Sequence, residues 1–288
     1  MVKVIDKIAR ERGGFLFICD FSPPRGSAPE LLASAKDLDA DWISVAYNPG
    51  KSTRLNSTIA AHWIKTRLEK DVVFTLATRD MNKLALQSIL LGADLLGLEN
   101  VVIVKGDEFT ERDLSRVRDV SDYSPTSLME SLRRLNEGID FKELKLQTST
   151  DFCIGATIDL ARGIEQEARL SRRKVESGAQ FFISQPTFDP GGPQAFIECY
   201  RSSYDEEFPC PIFHGVQVMT EDSLIFGHVP EWVTEDLKKE RSGVDIALQV
   251  LDEFSSAGLT SIYLIPPIMR GGRRDYEAAQ AVLANFRD

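Results

Sequence analysis

Eight short apolar runs alternate along the chain with longer segments whose apolar residues recur every three or four positions. The runs are 15–20 (FLFICD), 42–47 (WISVAY), 72–77 (VVFTLA), 100–105 (NVVIVK), 152–157 (FCIGAT), 180–185 (QFFISQ), 211–218 (PIFHGVQV) and 261–265 (SIYLI). Their length and their richness in β-branched and aromatic residues predict strands. Stretches 28–38, 57–69, 81–95, 127–136, 163–177, 193–203, 242–257 and 275–286 have helical spacing, as in Leu84, Leu86, Ile89, Leu90 and Leu91. Strands that are apolar nearly throughout, each followed by a helix, indicate a parallel sheet covered on its outer face. Eight such units in 288 residues predict an α/β fold, a single (β/α)8 TIM barrel domain spanning residues 1–288. The competing doubly wound sheet would favour a G-x-G-x-x-G turn after the first strand, and none is present. No internal repeat or low-complexity segment interrupts the pattern. Two irregular stretches, 106–126 and 137–150, are long enough to be functional loops or solvated excursions.

Composition narrows the partners more than the fold. The formal net charge is −10 and no block of Lys and Arg forms a basic face, which argues against nucleic acid and acidic membranes as partners. The start, MVKVIDKIARERGG, lacks the apolar core of a signal peptide, and no apolar run reaches membrane-spanning length. Cys19, Cys153, Cys199 and Cys210 are scattered without C-x-x-C spacing, as expected of reduced cytoplasmic thiols and not of a zinc site. His62, His214 and His228 are equally dispersed, so no metal centre is expected.

Catalytic groups of such barrels come from the C-terminal ends of the strands. The first strand delivers Asp20 to Ser22-Pro23-Pro24, where the ladder must stop because proline offers no N–H. Phe15, Phe17 and Phe21 flank it, which predicts an apolar setting suited to a proton-transferring carboxyl. The alternative is a carboxylate turned toward a neighbouring basic group. Later strand ends offer Tyr47-Asn48, Thr75 and Thr78, Lys105-Gly106-Asp107, Thr157 and Asp159, Gln185, and Gln217. Lys105-Gly106-Asp107 suits a polar ring or a phosphate, although Gly-Asp is also a common turn. Gln185 offers a donor and an acceptor, as a pterin or flavin edge needs, or bonds loop backbone. Lys174 lies in a charge run that ordinarily marks a solvated helix face. Asn48-Pro49-Gly50-Lys51-Ser52 lacks P-loop spacing and reads as a turn.

In order, these signals resemble the methylenetetrahydrofolate reductase family over nearly the whole chain. The family's F-E-F-x-P-P-R appears as Cys19-Asp20-Phe21-Ser22-Pro23-Pro24-Arg25. Its I-S-V-T-Y-G appears as Ile43-Ser44-Val45-Ala46-Tyr47-Asn48, followed by Gly50, Ser52, Thr53 and Arg54. Its L-R-G-D becomes Val104-Lys105-Gly106-Asp107, its R-K-V-D-A-G-A becomes Arg173 to Ala179, and its T-Q-x-x-F-D becomes Ser184 to Asp189. The resemblance implies a TIM barrel oxidoreductase reducing 5,10-methylenetetrahydrofolate to 5-methyltetrahydrofolate with FAD and with NADH or NADPH as co-substrate. It further implies Asp20 as catalytic acid, Asp107 and Gln185 as folate-binding residues, and Tyr47, Thr75, Lys105, Gly106, Asp107 and Lys174 as cofactor-binding residues. Association as a homo-oligomer or with a methyltransferase is also in keeping with it.

The chain departs from the family at several of these places. Asp20 replaces a glutamate, Ala46 a threonine and Thr75 a flavin-contacting histidine. The loop that helps hold FAD after the fifth strand is here the dissimilar Thr157-Ile158-Asp159-Leu160-Ala161-Arg162. The departures leave open a flavin-free reductase or a non-redox folate-binding subunit working with methyltransferases. An unrelated barrel lyase would need an activated lysine at a strand end, for which Lys105 is the candidate.

Overall fold

The computed structural model describes residues 2–11, 14–224 and 227–287. Eight parallel strands close in sequence order into a barrel: β1 Leu16–Phe21, β2 Trp42–Val45, β3 Val72–Ala77, β4 Asn100–Val104, β5 Cys153–Ile158, β6 Phe181–Pro186, β7 Ile212–Gln217 and β8 Ser261–Ile265. The helices are α1 Val4–Arg10, α2 Ser57–Leu68, α3 Lys83–Leu95, α4 Glu111–Leu114, α5 Pro125–Asn136, α6 Ile164–Glu176, α7 Gly191–Tyr204, α8 Glu231–Lys238, α9 Gly243–Ser256 and α10 Tyr276–Arg287. The expected (β/α)8 barrel is the observed fold.

Alternation along each strand sorts the side chains. Leu16, Ile18, Trp42, Val73, Val102, Cys153, Phe181, Ile183 and Phe213 pack together as the barrel interior. Their neighbours, such as Phe17, Ile43, Phe74 and Phe182, join the larger core between sheet and helices. The interior admits Phe181 only because β5 has no side chain at Gly155, where a Cβ would lie 2.4 Å from the ring. Helix α1 closes the N-terminal end, adding Val4 to the interior and bonding Val4 N–H to Asn100 Oδ1 at 2.9 Å. The opposite end, where the strands finish, stays open and carries the polar strand-end residues.

Three local outcomes differ from the periodicity. Segment 28–38 forms 3₁₀ turns over Pro29–Ala35, and its buried residues Leu32 and Ala35 stand three apart, one 3₁₀ turn. Helices α1 and α8, of seven and eight residues, are too short for their period to stand out. The irregular stretch 106–126 contains α4, held by a reciprocal capping box between Thr110 and Asp113. In β6 the register against β7 slips between Ile183 and Pro186, and Gly215 lets that backbone approach: a Cβ there would lie 2.6 Å from Ser184 O. Gln185 sits on this bulge, exposed at the rim. Among the described residues, no helix is long and apolar enough to cross a membrane, and no cluster of His, Cys, Asp and Glu could hold a metal ion.

Candidate functional site

Asp20, the last residue but one of β1, lies inside the barrel mouth and is 5% exposed. Its surroundings are not those the flanking phenylalanines predict. Phe17 and Phe21 lie on the opposite face of the strand, Phe17 against Phe286 and Phe21 stacked on Tyr276 at 5.0 Å. The carboxylate instead accepts from Tyr263 Oη and from Arg274 Nε, each at 2.9 Å, so both oxygens are engaged. Its ion pair with Arg274 is buried, each side chain 7% exposed. Burial and the Asp20 charge push the Tyr263 phenol well above its ordinary value. Asp20 itself, next to the positive Arg274, raises the Arg274 guanidinium, while burial opposes it as the largest effect. Pairing of Asp20 with a basic group is therefore the outcome, and the carboxyl is held rigidly by two donors.

A second polar knot joins the ends of β2, β3 and β4. Arg79 is 4% exposed and forks onto Asp80 at 2.6 and 2.8 Å. It also donates to Asp107 O at 2.7 Å and stacks on Phe109, which fastens the loop after β4 over the rim. Gly106 adopts φ +88°, and a Cβ there would press on Ala77 and Arg79. Its lack of a side chain serves packing of the loop against β3. Tyr47 borders this knot, and burial with the neighbouring Asp80 pushes its phenol up to about 12. The Asp107 carboxylate is exposed within the field of Arg79. Thr75 lies between these groups in β3, half-buried.

Gln185 borders a cavity of about 360 Å³ with Asp159, Phe188, Asp189 and His228 among its walls. Asp159 caps the 3₁₀ turn Leu160–Arg162 and pairs with Arg162 at 3.2 Å. The two lysines part company. Lys105 stands in solvent, 60% exposed, paired with Glu108 at 2.7 Å. That exposure removes the desolvation an activated lyase lysine requires. Lys174 is buried within the helix layer and not on a solvated face. It donates to Glu167 Oε1 at 3.0 Å and to Thr157 O at 2.5 Å, joining α6 to β5. Burial pushes its ammonium down from the ordinary value, and Glu167 opposes this.

Strand-end reading missed Tyr263, Arg274, Arg79 and Asp80. Tyr263 could have been found, because it shares the inward parity of β8 and pairs in register with Ile18. Arg274 lies 254 residues from Asp20 in the chain, and only closure of β8 on β1 brings them together.

The fold and the polar C-terminal mouth define an α/β barrel with its working face where such barrels carry their chemistry. A family model for methylenetetrahydrofolate reductase matches residues 4–265, and the chain belongs to that family. No curated protein sequence matches it. Among solved structures it is similar to an uncharacterized protein from Clostridium thermocellum that binds two copies of 5-methyl-5,6,7,8-tetrahydrofolic acid. That likeness has a TM-score of 0.67 at 13% identity and covers 99% of each chain, and it speaks to the fold.

The family's flavin can be tested against the residues present. A flavin dinucleotide needs cations or free backbone N–H groups at its phosphates. Lys174 is committed to Glu167 and Thr157, and Gly106 is turned onto Ala77 and Arg79, which leaves only the exposed Lys105 among the implied phosphate contacts. The cavity at Gln185 presents Asp159 and Asp189, whose charges oppose phosphate. These residues do not fit FAD in the way the resemblance implies.

Proposed function

We propose that this chain reduces 5,10-methylenetetrahydrofolate to 5-methyltetrahydrofolate, taking the hydride directly from NADH or NADPH. The observation that carries the reading is Asp20, held at the barrel mouth by Tyr263 and Arg274 in a chain of this family. Opening the bridged imidazolidine ring needs a proton on nitrogen and leaves an iminium cation that accepts the hydride. Asp20 provides the carboxyl for both needs, first as acid and then, ionised, as the charge facing the cation. Tyr263 and Arg274 fix its position, and the proton Asp20 passes to nitrogen comes from solvent at the open barrel mouth, since neither partner gives up its own readily. Asp107 and the exposed amide of Gln185 hold the pterin edge. Cofactor contacts through Lys174 have no part in this route, because its ammonium group is buried in its pair with Glu167.

The deciding experiment uses nicotinamide carrying deuterium at the transferred position. Direct transfer keeps the label in the methyl group, without added FAD. A flavin route loses it, because the hydrogen on a reduced flavin nitrogen exchanges with water. Turnover that depends on FAD, with label washed out, would overturn the direct route. Binding of 5-methyltetrahydrofolate without any turnover would favour the folate-binding subunit, a reading that the Clostridium protein's two bound folates also support.

A further inference from the structure

On the rim above β1, β2 and β8 lies a second cavity of about 360 Å³, apart from the one at Gln185. Three arginines, Arg25, Arg54 and Arg274, are among its walls, with Ser52, Gly271 and Gly272. Among the described residues no acidic side chain lines it, although the chain as a whole carries a net charge of −10. Asp20 neutralises one of the three cations by its pair with Arg274. Among the described residues the other two, the exposed Arg25 and the half-buried Arg54, pair with no acidic side chain. Among the described residues Arg54 donates to neutral oxygens alone, Ser52 Oγ at 3.0 Å and Pro23 O at 3.2 Å, and none accepts from Arg25. Gly272, at φ +78°, lets Arg54 lie against the 270–274 turn, since a Cβ there would come within 2.6 Å of Nη2.

We infer that this cavity binds the anionic tail, phosphate or carboxylate, of a molecule whose reacting end lies in the barrel mouth. Like charges brought together without counter-ions repel, and an oxyanion removes that repulsion while accepting from the forked donors. Burial and the neighbouring Arg274 and Arg25 charges push the Arg54 guanidinium below its ordinary value, which reports the same unbalanced field. Arg274 links the two places, since it lines the cavity while its Nε donates to Asp20. A ligand that spans them thus has its reactive part beside Asp20 and its charges beside Arg25 and Arg54. If the proposed reductase reading holds, two tails qualify: the glutamyl carboxylates of a folate and the pyrophosphate of a nicotinamide dinucleotide.

Titration calorimetry at low salt with inorganic pyrophosphate and, separately, with γ-linked triglutamate tests the site without turnover. We expect at least one to bind the wild-type chain, and the Arg25→Gln/Arg54→Gln double variant to lose about tenfold or more in affinity, the usual worth of a charged hydrogen bond. Binding should also weaken as salt is raised. Pyrophosphate alone identifies the nucleotide tail, and triglutamate alone the folate tail. If the double variant does not fold, Arg25→Lys and Arg54→Lys keep the charge and remove the fork, and a loss of several-fold is expected from each. Equal affinity of wild type and variants, or no binding of either probe, overturns the site. Since neither probe is a folate or a dinucleotide, that result would leave the reductase reading standing, and absence of reductase activity would leave the anion site standing.

Discussion

At the scale of single residues the decisive fact is which face of β1 each side chain takes. The phenylalanines that neighbour Asp20 in sequence point away from it, and its partners come from the other end of the chain. With both carboxylate oxygens tied at 2.9 Å, Asp20→Asn should cut methylene reduction by about 10²–10⁴, the usual worth of a positioned acid, and leave folate affinity nearly intact. Undiminished turnover would remove Asp20 from the mechanism. Asp20→Glu restores the residue the family uses, but the extra methylene must displace Tyr263 or Arg274. We expect it to cost about 1–3 kcal/mol in denaturant melts, as overpacking does, and to lower kcat as well. A glutamate variant as stable and as fast as the wild type would show that β1 is placed as in the rest of the family.

Helix α6 shows how an element can be read correctly and its chemistry misread. Its span is evident from the pattern, and Arg173-Lys174 looks like a solvated charge run. Yet Glu167, Ser171 and Lys174, spaced four and three apart, share one stripe with Ala168, and that stripe faces β5. The helix phase therefore held the signal that Lys174 is buried. Breaking this pair on one side strands a charge in the helix layer. Lys174→Met should destabilise the fold by about 3–5 kcal/mol, and Lys174→Met with Glu167→Leu should recover most of the loss. Urea melts of the three chains measure this. If Lys174→Met left stability unchanged, the ammonium would be free for a ligand phosphate, and the flavin reading would regain its anchor.

Stability of the whole molecule carries a pH signature set by one outward-facing residue of β7. His214 is 5% exposed and packs against Phe254 of α9, and burial pushes its imidazole down to about 4. An unfolded histidine titrates near 6.5, so between about 4 and 6.5 the unfolded chain binds the extra proton. Stability therefore rises with pH across that window and is lost as pH falls through it, by about 3 kcal/mol in all. Thermal melts from pH 7 to pH 5 should show the decline, and His214→Leu should flatten it. An equal decline in the variant would place the acid sensitivity elsewhere.

Period and spacing alone determined the barrel. Eight parallel strands need apolar side chains on both faces, and that requirement is written in consecutive residues, so strand limits and most helices follow from local pattern. The motifs around Asp20, Asp107 and Gln185 likewise placed the polar rim at the strand ends and pointed to the family. What tertiary structure decided was the partner of each polar group. Asp20 meets Tyr263 and Arg274 because barrel closure sets β8 beside β1, and Arg79 meets Asp107 O because a long loop folds back over β3. Lys174 turns inward because a helix buries one stripe whatever its charge. Arg25, Arg54 and Arg274 converge from three separate loops. Hydrophobic periodicity is a property of neighbours in the chain, whereas the field at a carboxylate or a guanidinium is set by neighbours in space.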